Sequence, residues 1–372
     1  MRAPHQSSTD ELLTGVWHLA AISRHIPRGT LTREIIADYP IAIGRTRDGR
    51  VFALDDACPH RAAPLSRGRI VDRKAIGANG DSVCVECPYH GWRFDTQSGA
   101  CVDIPALSDS SDFDIGPIST RCWRVAESHG LIWIYLPAGD NRGASGPSDA
   151  IAPPVAWPEL PLPADMTPRS VTIVEAAGPY DEAVIGLVDP AHTPFVHKQW
   201  WWREGAERRE KEKQFEPTSL GFLMPPHTPS SNSRIYRLLG GAPTTAIEFR
   251  IPGLRLETIR NRRHTILGLT AITPLTAGRN RITHCLFWDM ALLTALTPII
   301  DAMAASFLSQ DGAILEAQSI NLSPRRRRPL YAGDPDTPAQ WYFALKRAWR
   351  EATRNAEPFE NPLRAGTLRW RT

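Results

Sequence analysis

Between residues 15 and 137 the apolar positions fall into short runs separated by turn-forming clusters, the pattern of half-buried strands. Residues 15–20, 41–43, 51–54 and 131–136 each predict a strand, so this part of the chain reads as all-β. Residues 138–163 are rich in Gly, Pro and Ser and mark a linker or domain seam. After Arg169 the pattern changes. A strand is predicted at 170–175, a broken helical segment at 179–197, and further strands near 245–251, 254–259, 264–273 and 281–288. Two helical stretches follow, 292–319 and 338–356. The expected fold is α+β: an N-terminal all-β domain at 12–145, then a cavity-bearing domain at 146–372 in which an antiparallel sheet wraps around long C-terminal helices. No internal repeat is visible.

Two clusters of metal-ligand residues interrupt this pattern. The first is Cys58-Pro59-His60 with Cys87-Pro88-Tyr89-His90 downstream. Each thiolate is paired with an imidazole two or three positions later. Two such pairs on facing loops suit a two-iron, two-sulfur cluster with cysteines on one iron and histidines on the other, easier to reduce than an all-cysteine cluster. Zinc competes, because two Cys and two His also satisfy a tetrahedral structural site. Zinc spacings, however, more often pair Cys with Cys and His with His. Pro59 and Pro88 stiffen the loops, and Gly91 allows close backbone approach.

The second cluster is Asp189-Pro190-Ala191-His192 with His197 five residues on. On a regular helix that spacing splays the two rings by about 140°. Pro194 lies between them and is expected to bend the segment so that both converge. Two imidazoles with nearby carboxylates begin a 2-His-1-carboxylate iron site. The missing carboxylate is expected on a downstream helix, with Asp311 the best candidate, Glu316 the runner-up and Asp301 a polar break in an apolar helix.

Read whole, residues 58–65 and 87–95, with Gly99-Ala100-Cys101 and Ile104-Pro105 trailing, resemble the two loops of a Rieske domain. The insert between the loops is longer than usual, its excess at 72–82 reading as a surface hairpin extension. The run Asp189-x-x-His192-x-x-x-x-His197 is similar to the mononuclear iron motif of Rieske non-haem iron oxygenases. Residues 190–197 are closest in phrasing to the branch holding vanillate and dicamba O-demethylases and pheophorbide a oxygenase. The resemblance implies a Rieske [2Fe–2S] domain on Cys58, His60, Cys87 and His90, then a helix-grip catalytic domain with Fe(II) on His192, His197 and Asp311. It further implies that Asp189 carries electrons between subunits, bridging His90 of one protomer to His192 of the next. That contact requires a head-to-tail homotrimer. Gly186 stands where the motif commonly has Asn, which removes a second bridging residue.

The implied activity is terminal oxygenation: O2 and electrons from a separate ferredoxin or NAD(P)H-dependent flavin reductase, used to monooxygenate or demethylate an aromatic or polycyclic apolar substrate. No flavin or nicotinamide fingerprint occurs in the chain. Ring cis-dihydroxylation uses the same metals. A Rieske-type electron carrier and a zinc-stabilised binding module are the readings outside oxygenase chemistry. Phe195, Trp200, Trp201, Trp202 and Phe222 line an aromatic pocket on one reading and pack a core on the other.

Composition narrows this further. The 372 residues suffice for two domains, and a net charge of +3 gives no bias toward nucleic acid. The basic run 325–328 reads as a solvated loop, or else as a docking patch for an acidic electron donor, and the mixed-charge run 204–213 reads as a surface loop. Cys84, Cys101, Cys122 and Cys285 match no ligand position and read as buried thiols, which suits a reducing cytoplasm. The N-terminus lacks the apolar core of a signal peptide, and the stretch 290–308 is too interrupted to span a membrane.

Overall fold

The computed structural model describes residues 12–72, 82–108, 110–138, 158–197, 210–228, 243–322 and 329–371. They form two compact units, one of Thr14–Asp165 and a second of Met166 onward that also takes in the residues up to Leu13. In the first unit the strands are β1 (Val16–Ile22), β2 (Thr30–Ile36), β3 (Tyr39–Arg45), β4 (Val51–Asp55), β5 (Arg69–Asp72), β6 (Val83–Glu86), β7 (Arg93–Asp95), β8 (Cys101–Asp103), β9 (Val125–Ser128) and β10 (Leu131–Leu136). Among the described residues they make three antiparallel sheets, ordered β1-β10-β9, β2-β3-β4 and β5-β6-β7-β8.

Two-residue turns close β2–β3 at Ala37 and Asp38 and β9–β10 at His129 and Gly130, and all four residues have positive φ. That geometry matches the twist of the strands it joins. Strands β5 and β6 pair antiparallel from Arg69↔Glu86 to Asp72↔Val83, and residues 73–81, where a hairpin extension was expected, lie outside the described residues. Phe52, Leu54, Val85 and Phe94 pack with Cys58 and Cys87 in one buried cluster, which anchors both ligand loops to the sheets behind them.

In the second unit, β11 (Ser170–Ala177) leads into α1 (Tyr180–Val188) and the single-turn α2 (Thr193–Val196). Then come β12 (Glu210–Pro217), β13 (Gly221–His227), β14 (Thr244–Arg250), β15 (Leu254–Arg260), β16 (Thr265–Thr276) and β17 (Arg279–Trp288). Helices α3 (Ala291–Ala295), α4 (Thr297–Asn321) and α5 (Thr337–Asn355) precede a last strand, β18 (Gly366–Arg371). The strands form one antiparallel sheet, ordered β11-β17-β16-β15-β14-β13-β12-β18.

One detail departs from the sequence reading. Residues 210–213 of the mixed-charge run are not a loop: they belong to β12, which pairs with β18 from Glu210↔Arg371 onward. Along the start of β12, exposed Glu210 and Glu212 alternate with the less exposed Lys211 and Lys213. Phe222 lies in the core against Phe215, Phe249 and Trp341, which is the packing reading of that aromatic. Trp200 to Trp202 and the basic run 325–328 lie outside the described residues.

Helix α4 buries Leu308, Gly312 and Leu315, one stripe at helical spacing, over β11. A Cβ at Gly312 would stand 3.3 Å from Val174 Cγ1 and 3.6 Å from Ala176 Cβ, so glycine lets helix and strand approach closely. Helix α5 buries Tyr342, Leu345, Lys346 and Trp349. Lys346 Nζ donates to Asp181 Oδ1 at 2.5 Å and Oδ2 at 2.7 Å, and Tyr342 Oη donates to Asp181 Oδ1 at 2.6 Å. These bonds hold the first turn of α1 on α5. Among the described residues no helix is long and apolar enough to cross a membrane.

Removing one member of a buried ion pair leaves the other uncompensated, at a cost of about 3 kcal/mol. Lys346→Met is therefore expected to lower the unfolding free energy by about that amount in urea titration. A change no larger than that of a surface substitution would show that the pair does not anchor α1.

Candidate metal centres

The two loops of the first unit share one backbone design. Cys58 N–H donates to the Ala63 carbonyl at 2.9 Å and Cys87 N–H to the Trp92 carbonyl at 2.8 Å, each five residues on. Ala62 N–H returns to the Cys58 carbonyl and Gly91 N–H to the Cys87 carbonyl, each from four residues on. Ala62 and Gly91 occupy the same loop position and both have positive φ, 55° and 73°. The imidazoles nonetheless come from different positions, third in the first loop and fourth in the second. The His60 and His90 rings lie side by side, centroids 4.7 Å apart, and His60 stacks on the Trp92 indole at 4.5 Å and 7°.

The thiols point inward and the imidazoles outward. Cys58 and Cys87 are 2 % and 3 % exposed, whereas His60 and His90 are half-buried. Burial pushes the Cys58 thiol up to about 11, and the neighbouring Cys87 thiol pushes in the same direction. The buried Cys58 thiol, in contact with Cys87 and unfavourable as a thiolate by itself, becomes a stable ligand when a cationic group neutralises it. His60 Nδ1 is buried without a hydrogen-bond partner. This donor set fits a cluster with two thiolate and two imidazole ligands.

In the second unit α1 ends at Val188 and Pro190 starts a new segment. His192 and His197 flank α2: His192 caps its N-terminus and His197 follows its last residue. Pro194 therefore does not bend a longer helix. It sits in the first turn of a short one, where its missing N–H has no partner to lose. The single turn carries the chain far enough round for both Nε2 atoms to approach Asp311 Oδ1 from α4, at 3.7 Å for His192 and 3.4 Å for His197. One donor atom from each of the three residues lies within 4.8 Å of the others. Ligand bonds of about 2.1 Å place neighbouring donors about 3 Å apart, so a small contraction around a divalent ion suffices.

Hydrogen bonding prepares the ligands. His192 Nδ1 lies 2.9 Å from the Asp189 main-chain carbonyl, which can only accept, so Nδ1 carries the proton and Nε2 presents its lone pair. The Asp189 carboxylate accepts the Ala191 N–H at 2.7 Å through Oδ1, and its Oδ2 is 3.6 Å from His192 Nδ1. Burial works against a charged His192, but the Asp189 hydrogen bond and the Asp189 and Asp311 charges hold its pKa above the usual value. Burial and the nearby His192 push His197 down to about 4. Both His197 nitrogens are buried without hydrogen bonds, and the ring stacks on Phe307 at 3.4 Å. Burial raises Asp311 to about 6 against the pull of His192 and Arg255. An imidazole with nothing to bond, beside a buried carboxylate, is a site that fits a cation.

Glu316 is exposed on α4 and takes no part, while Asp301 accepts a hydrogen bond from the Ser170 hydroxyl. Sequence reasoning missed Phe307 and Trp92, the two rings that hold ligand histidines flat. Phe307 carried a signal, one turn before Asp311 on the same helix face.

A sequence profile of the Rieske [2Fe-2S] domain matches residues 16–121. The oxygenase component of dicamba O-demethylase from Stenotrophomonas maltophilia is 33 % identical over 272 residues, 72 % of this chain and 70 % of that protein. Chloroplastic pheophorbide a oxygenase from Oryza sativa subsp. japonica is 29 % identical over 290 residues, 76 % of this chain. The chain spans about half of that relative's length, 51 %. A crystal structure of dicamba monooxygenase with non-haem iron and dicamba shares the fold, with a TM-score of 0.62 at 23 % identity over 92 % of this chain and 97 % of that one. A Rieske domain followed by a catalytic domain with a large antiparallel sheet defines an oxygenase α subunit. The chain belongs to the Rieske non-haem iron oxygenases, oxidoreductases whose cofactors are a [2Fe–2S] cluster and a mononuclear iron.

Asp311→Ala is expected to weaken mononuclear iron binding at least about 100-fold, beyond the usual effect of losing an outer hydrogen-bond partner. Iron content should fall while acid-labile sulfide and the visible spectrum of the cluster stay unchanged. Full iron retention in this variant would remove Asp311 from the ligand set.

Proposed function

We propose that this chain is a terminal oxygenase that monooxygenates or oxidatively demethylates an aromatic or polycyclic apolar substrate. The observation that carries this reading is the meeting of His192, His197 and Asp311, donor atoms within 4.8 Å of one another. Three ligands on one side of an ion leave positions open on the other. In the proposed assignment Cys58, Cys87, His60 and His90 hold the cluster, and His192, His197 and Asp311 hold the iron. The domains bearing them are residues 12–145 and 146–372. Together the two bound groups supply stored electrons and O2 activation.

The remaining tasks belong to the chain. The Asp189 carbonyl fixes the His192 tautomer, and the Phe307 ring keeps His197 from turning and shields it from water. The Asp189 carboxylate, 30 % exposed, retains acceptor capacity beyond the Ala191 N–H. In a head-to-tail homotrimer it accepts the imidazole N–H of His90 from the neighbouring subunit. Such a trimer has three times the 41.3 kDa mass of the chain, which light scattering on the eluting protein reads directly. A monomer would remove Asp189 from this role. Electrons come from a separate ferredoxin or flavin reductase, in the cytoplasm.

A single turnover tests the chemistry. The reduced, iron-loaded protein is mixed with labelled O2 and a panel of methoxy-aromatics, N-methyl compounds, steroids and tetrapyrroles. Products with one labelled oxygen, or lacking a methyl group, are expected by mass spectrometry. A cis-diol with two labelled oxygens would replace this reading with ring dihydroxylation.

A further inference from the structure

On the face of the large sheet that carries α4, polar side chains of four strands stand in one row. Thr172 of β11 pairs with His284 of β17, His284 with Thr270 of β16, and Thr270 with Arg255 of β15. Directly opposed residues of antiparallel strands point to the same side. That side is the helix side. Val174 and Ala176, on the same face of β11 as Thr172, meet Gly312, and the Ser170 hydroxyl donates to Asp301 of α4. The row runs beside the iron ligands, since the Arg255 charge is near enough to pull on the Asp311 carboxyl.

Its members share a hydrogen-bonding character. His284 Nδ1 lies 2.9 Å from the buried Thr270 hydroxyl. Burial pushes the imidazole down to about 4, so at neutral pH it is uncharged, with one nitrogen accepting and the other donating. When the Thr270 hydroxyl donates to Nδ1, the proton sits on Nε2. Arg255 pairs with Glu257 at 3.0 Å through one nitrogen and has further N–H donors to offer. The Thr172 hydroxyl, 7 % exposed, has no hydrogen-bond partner among the described residues. A buried hydroxyl of that kind is costly unless something completes its bonding. His284 and Arg255 are only half-buried although they lie on the helix-bearing face.

We propose that this row is a substrate-anchoring subsite, in which His284 and Arg255 receive an oxygen hydrogen-bond acceptor of the substrate, a carboxylate or a carbonyl, and Thr172, paired with His284, closes one end of the row. Thr270 acts as a positioning residue by holding the imidazole through Nδ1. The subsite rests on the oxygenase reading only in taking the bound molecule to be the substrate. An anchor of this kind orients an otherwise apolar ring, so that one edge of it is presented to the metal ligands.

The test is equilibrium binding, by anaerobic calorimetry on the cofactor-loaded protein, with matched probes. These are 4-methoxybenzoate, 4-methoxybenzamide and anisole, with 6-methoxy-2-naphthoate and 2-methoxynaphthalene as a larger pair. The acceptor-bearing probe of each size is expected to bind at least about tenfold tighter than its acceptor-free counterpart, the worth of one charge-assisted hydrogen bond. His284→Leu should abolish that advantage, and His284→Gln, which keeps an N–H, should restore most of it. Arg255→Met separates the two acceptors: loss confined to the benzoates identifies a carboxylate, and equal loss with benzamide identifies a carbonyl. Circular dichroism and the visible spectrum confirm that each variant is folded and keeps its cluster. The inference is overturned by equal binding within each pair, by failure of every acceptor-bearing probe to bind, or by an advantage that survives in folded His284→Leu. Binding as expected without turnover would leave the subsite standing and count against the oxygenase reading instead.

Discussion

The close seat of α4 on β11 is the contact on which the catalytic unit depends. Gly312 lies against Val174 and Ala176, and Leu315 meets Gly178 at the end of the strand. Interiors are packed too tightly to absorb an added methyl group there without a shift of the helix. Asp311 is the residue before Gly312, so any such shift moves the carboxylate. Phe307, one turn back, would move with it and release His197. The same contact that builds the core thus sets the reach between α4 and α2, segments more than a hundred residues apart in sequence. A metal site assembled from distant segments needs rigid supports of this kind, because its ligands have no local geometry in common.

The Rieske loops solve the opposite problem, since all their ligands are local. Residues 58–63 and 87–92 have the same hydrogen bonds and the same positive-φ position, filled by Ala62 in one and Gly91 in the other. Alanine tolerates this conformation less readily than glycine, so the loop closure and the packing around Cys58 must hold it there. Equivalent backbones put both thiols on the inner side. The one-residue offset of the histidines then separates the two imidazoles sideways, and both emerge at the surface, where another protein can touch them.

Much of this was legible in the sequence, for a physical reason. The ligand motifs are short, and their chemistry is written in residues two to five apart. The broad architecture followed from apolar periodicity, and α5 lies within a residue of the stretch expected for it. Strand β12 was not legible, because Glu210 to Lys213 carry no apolar period, and β18 offers only the short alternation of Leu368 and Trp370. The broken helix was legible but the break was assigned to Pro194, whereas the chain breaks at Pro190 and Pro194 sits in the first turn of the helix that restarts. The row of Thr172, His284, Thr270 and Arg255 had no sequence signal at all. Strand pairing creates it, and each member alone looks like an ordinary polar residue in a strand.

Charge explains why the two regions near α4 behave differently. Asp311 and His197 are each pushed toward their neutral forms by burial, and only His192, beside Asp189, is pulled toward protonation. The three side chains by themselves therefore hold unmet lone pairs and little positive charge to balance Asp311. A divalent ion satisfies those lone pairs and supplies the positive charge that makes an ionised Asp311 favourable. The row on the sheet is arranged the other way. Arg255 is already matched by Glu257, and His284 is neutral, so the row has N–H and O–H groups to offer without an unbalanced charge. A cation gains little there, and an oxygen acceptor gains several bonds. A metal held between α2 and α4 and a polar substrate edge held by the sheet would therefore not compete.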